Sequence, residues 1–171
     1  MKRRVNAVTV ATLAMLVAVA MLLSYIEHLI PSPVPIPGVK IGLANIATVF
    51  ALYVLGRRYA VAVTVLRVAL SSLLFGNPVG LLYAISGAAL ALVGMCALKG
   101  VPIFSAVGVS VIGGVLHNTG QVIAAAFVLE TAGLMITYLP LLLVFGTVAG
   151  VLVGVASGLL VRRIGNKLNI K

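Results

Sequence analysis

Arg67 stands in the middle of an apolar run from about Tyr59 to Phe75. A charge at bilayer mid-depth costs roughly 2.5–3.5 kcal/mol on insertion scales, so it is normally turned inward and paired. Turned inward, it can meet a buried acid or an anionic ligand. Glu27 is one of only 2 acidic residues. It either faces water at a membrane interface or forms an ion pair with Arg67 or Lys40. Lys40 and Asn45 stand close together at the start of the next apolar segment. Further along, Ser110, Gly113 or Gly114, His117 and Gln121 follow three-to-four spacing, so they share one helical face, with Asn118 beside them. Unsatisfied polar groups in hydrocarbon cost several kcal/mol, so this face must look inward. It can do so as interhelical hydrogen bonding that only glues a bundle, or as the wall of a pocket. The concentration of polar residues over a few turns favours the pocket. The candidate substrate-binding residues are therefore Glu27, Lys40, Asn45, Arg67, His117, Asn118 and Gln121. Arg67, Lys40 and His117 against Glu27 lean positive, which favours an anionic or carboxylate-bearing small molecule.

Other chemistries lack their residues. A lone histidine is more often structural than a ligand, and no His/Cys/Asp/Glu cluster has metal-binding spacing, so neither metal nor cofactor is expected. There is no G-x-x-x-x-G-K-[ST] to bind ATP and no G-x-S-x-G nucleophile motif. Two acids so distant in sequence cannot build the aspartate-rich clusters that hold magnesium-diphosphate in prenyl transferases. No catalytic constellation remains, and the chain reads as a non-enzyme. The single cysteine, Cys96, excludes an intramolecular disulfide.

The elements that must position these residues are membrane helices. The chain of 171 residues is 63% hydrophobic and 8% charged, with a mean hydropathy of +1.28. A soluble domain averages about 25% charged residues. Basic residues outnumber acidic ones 12 to 2, but they sit at the ends of apolar runs. That pattern belongs to membrane topology and not to nucleic-acid binding. A spanning helix needs about 20 mostly apolar residues. Six segments qualify: about 5–29, 41–55, 59–75, 79–98, 103–129 and 135–161. The second and third are short enough to be tilted or partly re-entrant. The expected fold is thus all-α, a polytopic bundle of six transmembrane helices forming one integral membrane domain over residues 1–171.

Lys2, Arg3 and Arg4 before an apolar stretch imitate a signal peptide, but that stretch exceeds a signal core and reads as a retained first helix. Alternating the sides puts Lys2, Arg3, Arg4, Arg57, Arg58, Lys99, Arg162, Arg163, Lys167 and Lys171 on one side and Lys40 near the other. The first side is then cytoplasmic, with both termini inside a cell membrane. The prolines at 31, 33, 35 and 37 favour extended geometry, as a stiff external connector or a lid. Gly146, Gly150, Gly154 and Gly158 form a ridge at spacing four, suited either to internal packing or to docking another subunit. Ala7, Ala11, Ala14 and Ala18 recur at helical spacing on the first helix.

Several segments together resemble a known family. They are Tyr25-Ile26-Glu27 before the proline loop, Pro37-Gly38-Val39-Lys40-Ile41-Gly42-Leu43-Ala44-Asn45, Arg67 followed by Gly76, and Gly108-Val109-Ser110 through His117-Asn118-Thr119-Gly120-Gln121. The chain resembles the Gx transporter family, also named heptaprenyl diphosphate synthase component I, over nearly its whole length. That family looks related to the substrate-binding S-components of energy-coupling factor (ECF) transporters. The resemblance implies a small-solute-binding membrane subunit that works with a transmembrane coupling subunit and cytoplasmic ATPases. It also implies that Ala7, Ala11, Ala14 and Ala18 contact the coupling subunit. Membrane lipids are the remaining expected contact. Two alternatives stand beside this reading: a membrane component of isoprenoid or quinone metabolism, and a non-catalytic scaffold using the Gly146–Gly158 ridge.

Overall fold

A computed structural model describes residues 7–30, 42–131 and 133–165. Lys40, the proline loop and both terminal basic clusters (Lys2 to Arg4, and Lys167 with Lys171) lie outside the described residues. The elements are α1 (Ala7–Leu29), α2 (Asn45–Val54), α3 (Arg57–Phe75), α4 (Pro78–Leu98), α5 (Ala106–Val128) and α6 (Gly133–Leu160), the last running into a π-turn over Val161–Gly165. The described structure is all-helical. Five helices, all but α2, are long and apolar enough to cross a membrane. This is the architecture of a multi-pass membrane protein.

α2 corrects the expectation of six full spans. Its 10 residues rise about 15 Å, half of a hydrocarbon core of roughly 30 Å. Gly42 and Gly56, at φ +94° and +106°, bracket it. L side chains rarely adopt such angles, so both positions call for glycine. After Gly42 the chain turns tightly: Asn45 N–H donates to the Gly42 carbonyl at 2.9 Å, and Ile46 N–H to that of Leu43 at 3.0 Å. At the other end the amides of Leu55 and Gly56 both donate to the Ala51 carbonyl at 2.9 Å, and α3 begins at once. Apolar composition continues through 41–55, but helical backbone does not.

The long helices pack in succession, α1 on α3, α3 on α4, α4 on α5 and α5 on α6, while α2 touches α1, α3, α5 and α6. α2 is consequently the most enclosed element, with Asn45 and every residue from Ala47 to Leu52 buried. Leu16, Val63, Met95 and Val153 join its Phe50 and Leu52 in the apolar core. Polar ties hold it in place. The Thr48 and Thr64 hydroxyls meet at 2.9 Å across α2 and α3. Ser157 of α6 reaches the Ile46 carbonyl at 3.3 Å. Lys99, at the end of α4, donates to the Leu52 carbonyl and lies 5.7 Å from the Tyr53 ring centroid. Burial, then the neighbouring charge of Arg57, holds the Lys99 ammonium below the ordinary lysine range.

The polarity of the exposed and buried faces suits lipid. Leu73, Phe127 and Ile136 are each more than four-fifths exposed. On α1 the buried face carries Thr9, Thr12, Ser24 and Glu27, whereas the exposed face carries valine, leucine and alanine. Without a hydrophobic drive between helices in lipid, close packing and hydrogen bonds decide which faces meet. The α6 ridge illustrates this. A Cβ at Gly150 would meet Val111 Cα at 2.5 Å, one at Gly154 would meet Val107 Cα at 2.7 Å, and one at Gly146 would meet the Gly114 carbonyl at 2.9 Å. Three of the four ridge glycines therefore seat α6 against α5. Gly158 has nothing within 4 Å of its Cβ position.

Candidate functional site

The residues singled out in sequence come from four helices. Glu27 is near the end of α1, Asn45 opens α2, Arg67 is midway along α3, and His117, Asn118 and Gln121 lie on α5; all six are buried. Asn45 and Arg67 share a level. Thr48 and Thr64 are equidistant in sequence from the Gly56 corner and touch, which sets the register of α2 against α3. Asn45 and Arg67 are likewise equidistant from Gly56.

Arg67 faces the bundle interior with 7% of its surface exposed. The same face of α3 buries Thr64, Val68 and Ser71, as helical spacing requires. The sequence offers Glu27 as its acidic partner. The Glu27 charge acts on the Arg67 guanidinium, and the Arg67 charge in turn acts on His117, so the three are electrostatic neighbours. Yet Nε and Nη2 of Arg67 have no hydrogen-bond partner among the described residues. Glu27 instead accepts from the backbone amide of Gly42, which joins the end of α1 to the turn ahead of α2. Asn118 directs Nδ2 to the Leu142 carbonyl on α6 at 2.7 Å. Asn118 is thereby engaged as interhelical glue.

His117 lies where α4 and α5 approach closely. A Cβ at Gly87 would fall 2.7 Å from the His117 carbonyl and 2.9 Å from Gln121 Cγ, and one at Gly120 would fall 2.5 Å from the Ser86 carbonyl. The His117 ring hydrogen-bonds to the Gly87 backbone. Its Nδ1 is buried and has no partner among the described residues. Ser24, one turn before Glu27 on the same buried face, has a hydroxyl in the same condition. Ser24 was absent from the sequence candidates, although its spacing from Glu27 was the signal that could have found it. Gly87 was also missed, because a glycine reveals its role only through what approaches it.

A narrow cavity adjoins this layer, lined by Gly42, Asn45, Ser110, Gly113, Gly114 and Gly150 among others. It has room for about one water molecule. A larger solute needs the helices around it to part. The alanine set stands apart from the polar layer: Ala7, Ala11, Ala14 and Ala18 are all exposed. Tyr25 and His28, at the Glu27 end of α1, meet Phe75 of α3 at ring-centroid distances of 5.3 and 6.3 Å.

The sequence elements that carry the family resemblance thus acquire physical roles. In Gly42-Leu43-Ala44-Asn45 the glycine supplies the backbone turn and the amide for Glu27. In His117-Asn118-Thr119-Gly120-Gln121 the glycine admits α4 and the asparagine binds α6. No curated protein and no solved structure matches the chain. A family model described as heptaprenyl diphosphate synthase component I matches residues 16–160, from the middle of α1 to the end of α6. With most of its length so matched, the chain belongs to the heptaprenyl diphosphate synthase component I family, the Gx transporter family of the sequence resemblance.

Proposed function

We propose that this protein is the solute-binding subunit of an energy-coupling factor type importer. It lies in the cell membrane with both termini cytoplasmic, a topology in which α2 and its flanking segments together make one crossing beside the five long helices; it captures a small molecule from the outer side and leaves ATP hydrolysis to partner ATPases. The observation that carries this reading is the buried polar layer: Glu27, Arg67 and His117, from three different helices, with Arg67 and His117 retaining hydrogen-bonding atoms that have no partner among the described residues. Each such orphan costs about 1–3 kcal/mol, more when charged, and a bound solute recovers that cost. A bundle that needed only glue would pair these groups as it pairs Asn118 with Leu142. The outward alanines of α1 support a close-packed coupling subunit on that helix, since small side chains let backbones approach. The protein itself contributes recognition and no catalytic step.

The family description favours a second reading, a membrane component of isoprenoid metabolism. Mass spectrometry of molecules co-purifying with the detergent-solubilised protein separates the two. A water-soluble small molecule together with a retained ATPase supports the importer. A prenyl lipid with no ATPase supports the alternative, and no bound molecule at all removes both in favour of a scaffold.

A further inference from the structure

We propose that Arg67 holds an oxyanion of the solute, a carboxylate or a phosphate, on the Nε/Nη2 edge of its guanidinium, and that His117 Nδ1 accepts from a hydroxyl or amine of the same solute. This rests on the solute-binding reading above and names the chemistry of that site. Nε–H and Nη2–H project from one edge of the guanidinium, at a spacing that matches the two oxygens of a carboxylate or phosphate. They are the two Arg67 atoms left buried and unpartnered among the described residues. Glu27, whose charge acts on Arg67, turns one carboxylate oxygen to the Gly42 amide and makes no hydrogen bond to either of these atoms. Asn118 is turned to α6. At the level of Arg67 lies the N-terminal end of α2, the positive pole of that helix dipole, which favours an anion. His117 supplies the complementary function. With its other ring nitrogen donating to the Gly87 backbone, a neutral imidazole offers Nδ1 as a lone-pair acceptor. An oxyanion-bearing solute with an adjacent donor satisfies both groups; a neutral apolar solute satisfies neither.

The test uses the purified full chain in detergent at constant ionic strength, with thermal stabilisation as the readout. The probes are lactate, propionate, inorganic phosphate and the neutral lactamide, each titrated to about 10 mM, a range suited to ligands of few atoms. Lactate or phosphate should stabilise and lactamide should not, and lactate should exceed propionate because only lactate offers a donor to His117. A preference for phosphate over lactate assigns the oxyanion to a phosphoryl group; the reverse assigns it to a carboxylate. Arg67→Lys, which keeps the charge and loses the fork, should weaken the preferred probe at least tenfold. Lactamide matching lactate, no stabilisation by any anionic probe, or wild-type affinity in Arg67→Lys overturns the proposal. If Arg67→Lys fails to fold, the comparison of lactate with lactamide on the unaltered protein still decides it. A neutral solute co-purifying with the protein would sink this subsite while leaving the importer reading intact.

Discussion

Replacing Gly150 by alanine tests the seat of α6 on α5. The new Cβ would lie 2.5 Å from Val111 Cα and 3.0 Å from the Ser110 carbonyl oxygen. Carbon atoms pack at about 3.5–4.0 Å, so the first contact is short by roughly 1 Å. Both opposing atoms belong to backbone, which has no rotamer through which to withdraw. The helices must separate by a comparable amount at this crossing. The flanking approaches, Gly146 to Gly114 and Gly154 to Val107, open with it. A gap of 0.5–1 Å forfeits about a quarter to a half of each contact of 0.1–0.2 kcal/mol, and overpacking of this kind costs about 1–3 kcal/mol in all. Alanine also returns about 1 kcal/mol of helix propensity, which would mask part of the loss. Gly158→Ala is the reference, because it gains the same propensity and has nothing within 4 Å to strike. The difference between the two variants isolates the packing cost. Unfolding in mixed micelles under increasing SDS, followed by helical circular dichroism, should place Gly150→Ala about 1–3 kcal/mol below Gly158→Ala. Equal stability of the two variants would refute the close α5–α6 contact.

Three further outcomes follow from the geometry. Glu27→Ala leaves the buried Gly42 amide without its acceptor, at a cost of about 1–3 kcal/mol; hydrogen exchange at Gly42 should accelerate at least tenfold, and unchanged exchange would remove the link between α1 and α2. Ala11→Trp places a bulky ring on the exposed face of α1, so under the proposed function it should abolish pull-down of the proposed coupling subunit and ATPases while solute binding persists; association at wild-type levels would end the first-helix docking idea. In a Cys96→Ala background, Gly100→Cys should label from the cytoplasm and Thr131→Cys from outside, and the opposite pattern would invert the proposed topology.

Much of the fold was legible because apolar runs and their breakers are local signals. The described α1, α3, α4, α5 and α6 begin and end within a few residues of the apolar runs 5–29, 59–75, 79–98, 103–129 and 135–161. The shortness of α2 was legible but its length was not, because hydropathy cannot see a backbone dihedral: 41–55 is mostly apolar, whereas the helix is bracketed by the positive φ at Gly42 and Gly56. In the candidate site, burial was legible, since a lone arginine or an Asn–His pair in an oily helix has to turn inward. Partnership was not. Asn118 pairs with a backbone carbonyl, which carries no signature in the sequence. Glu27 pairs with a backbone amide for the same reason. The glycine ridge left packing and docking open until the opposing backbone of α5 was in place.

The uneven polarity along α1 governs how freely that helix can turn about its own axis. At the Ala7 end its buried polar groups are threonines, and Thr12 already returns its hydroxyl to the Val8 carbonyl at 2.8 Å. A threonine bonded within its own helix can be presented to hydrocarbon at small cost. At the other end Glu27 depends on an amide outside α1, and Ser24 is buried without a partner among the described residues. Rotation there would carry a carboxylate into lipid. α1 is thus pinned in azimuth at the Glu27 end and loosely held at the Ala7 end, where Ala7, Ala11 and Ala14 face outward. Torsion applied to the alanine half can be accommodated there before it disturbs the end that holds Glu27.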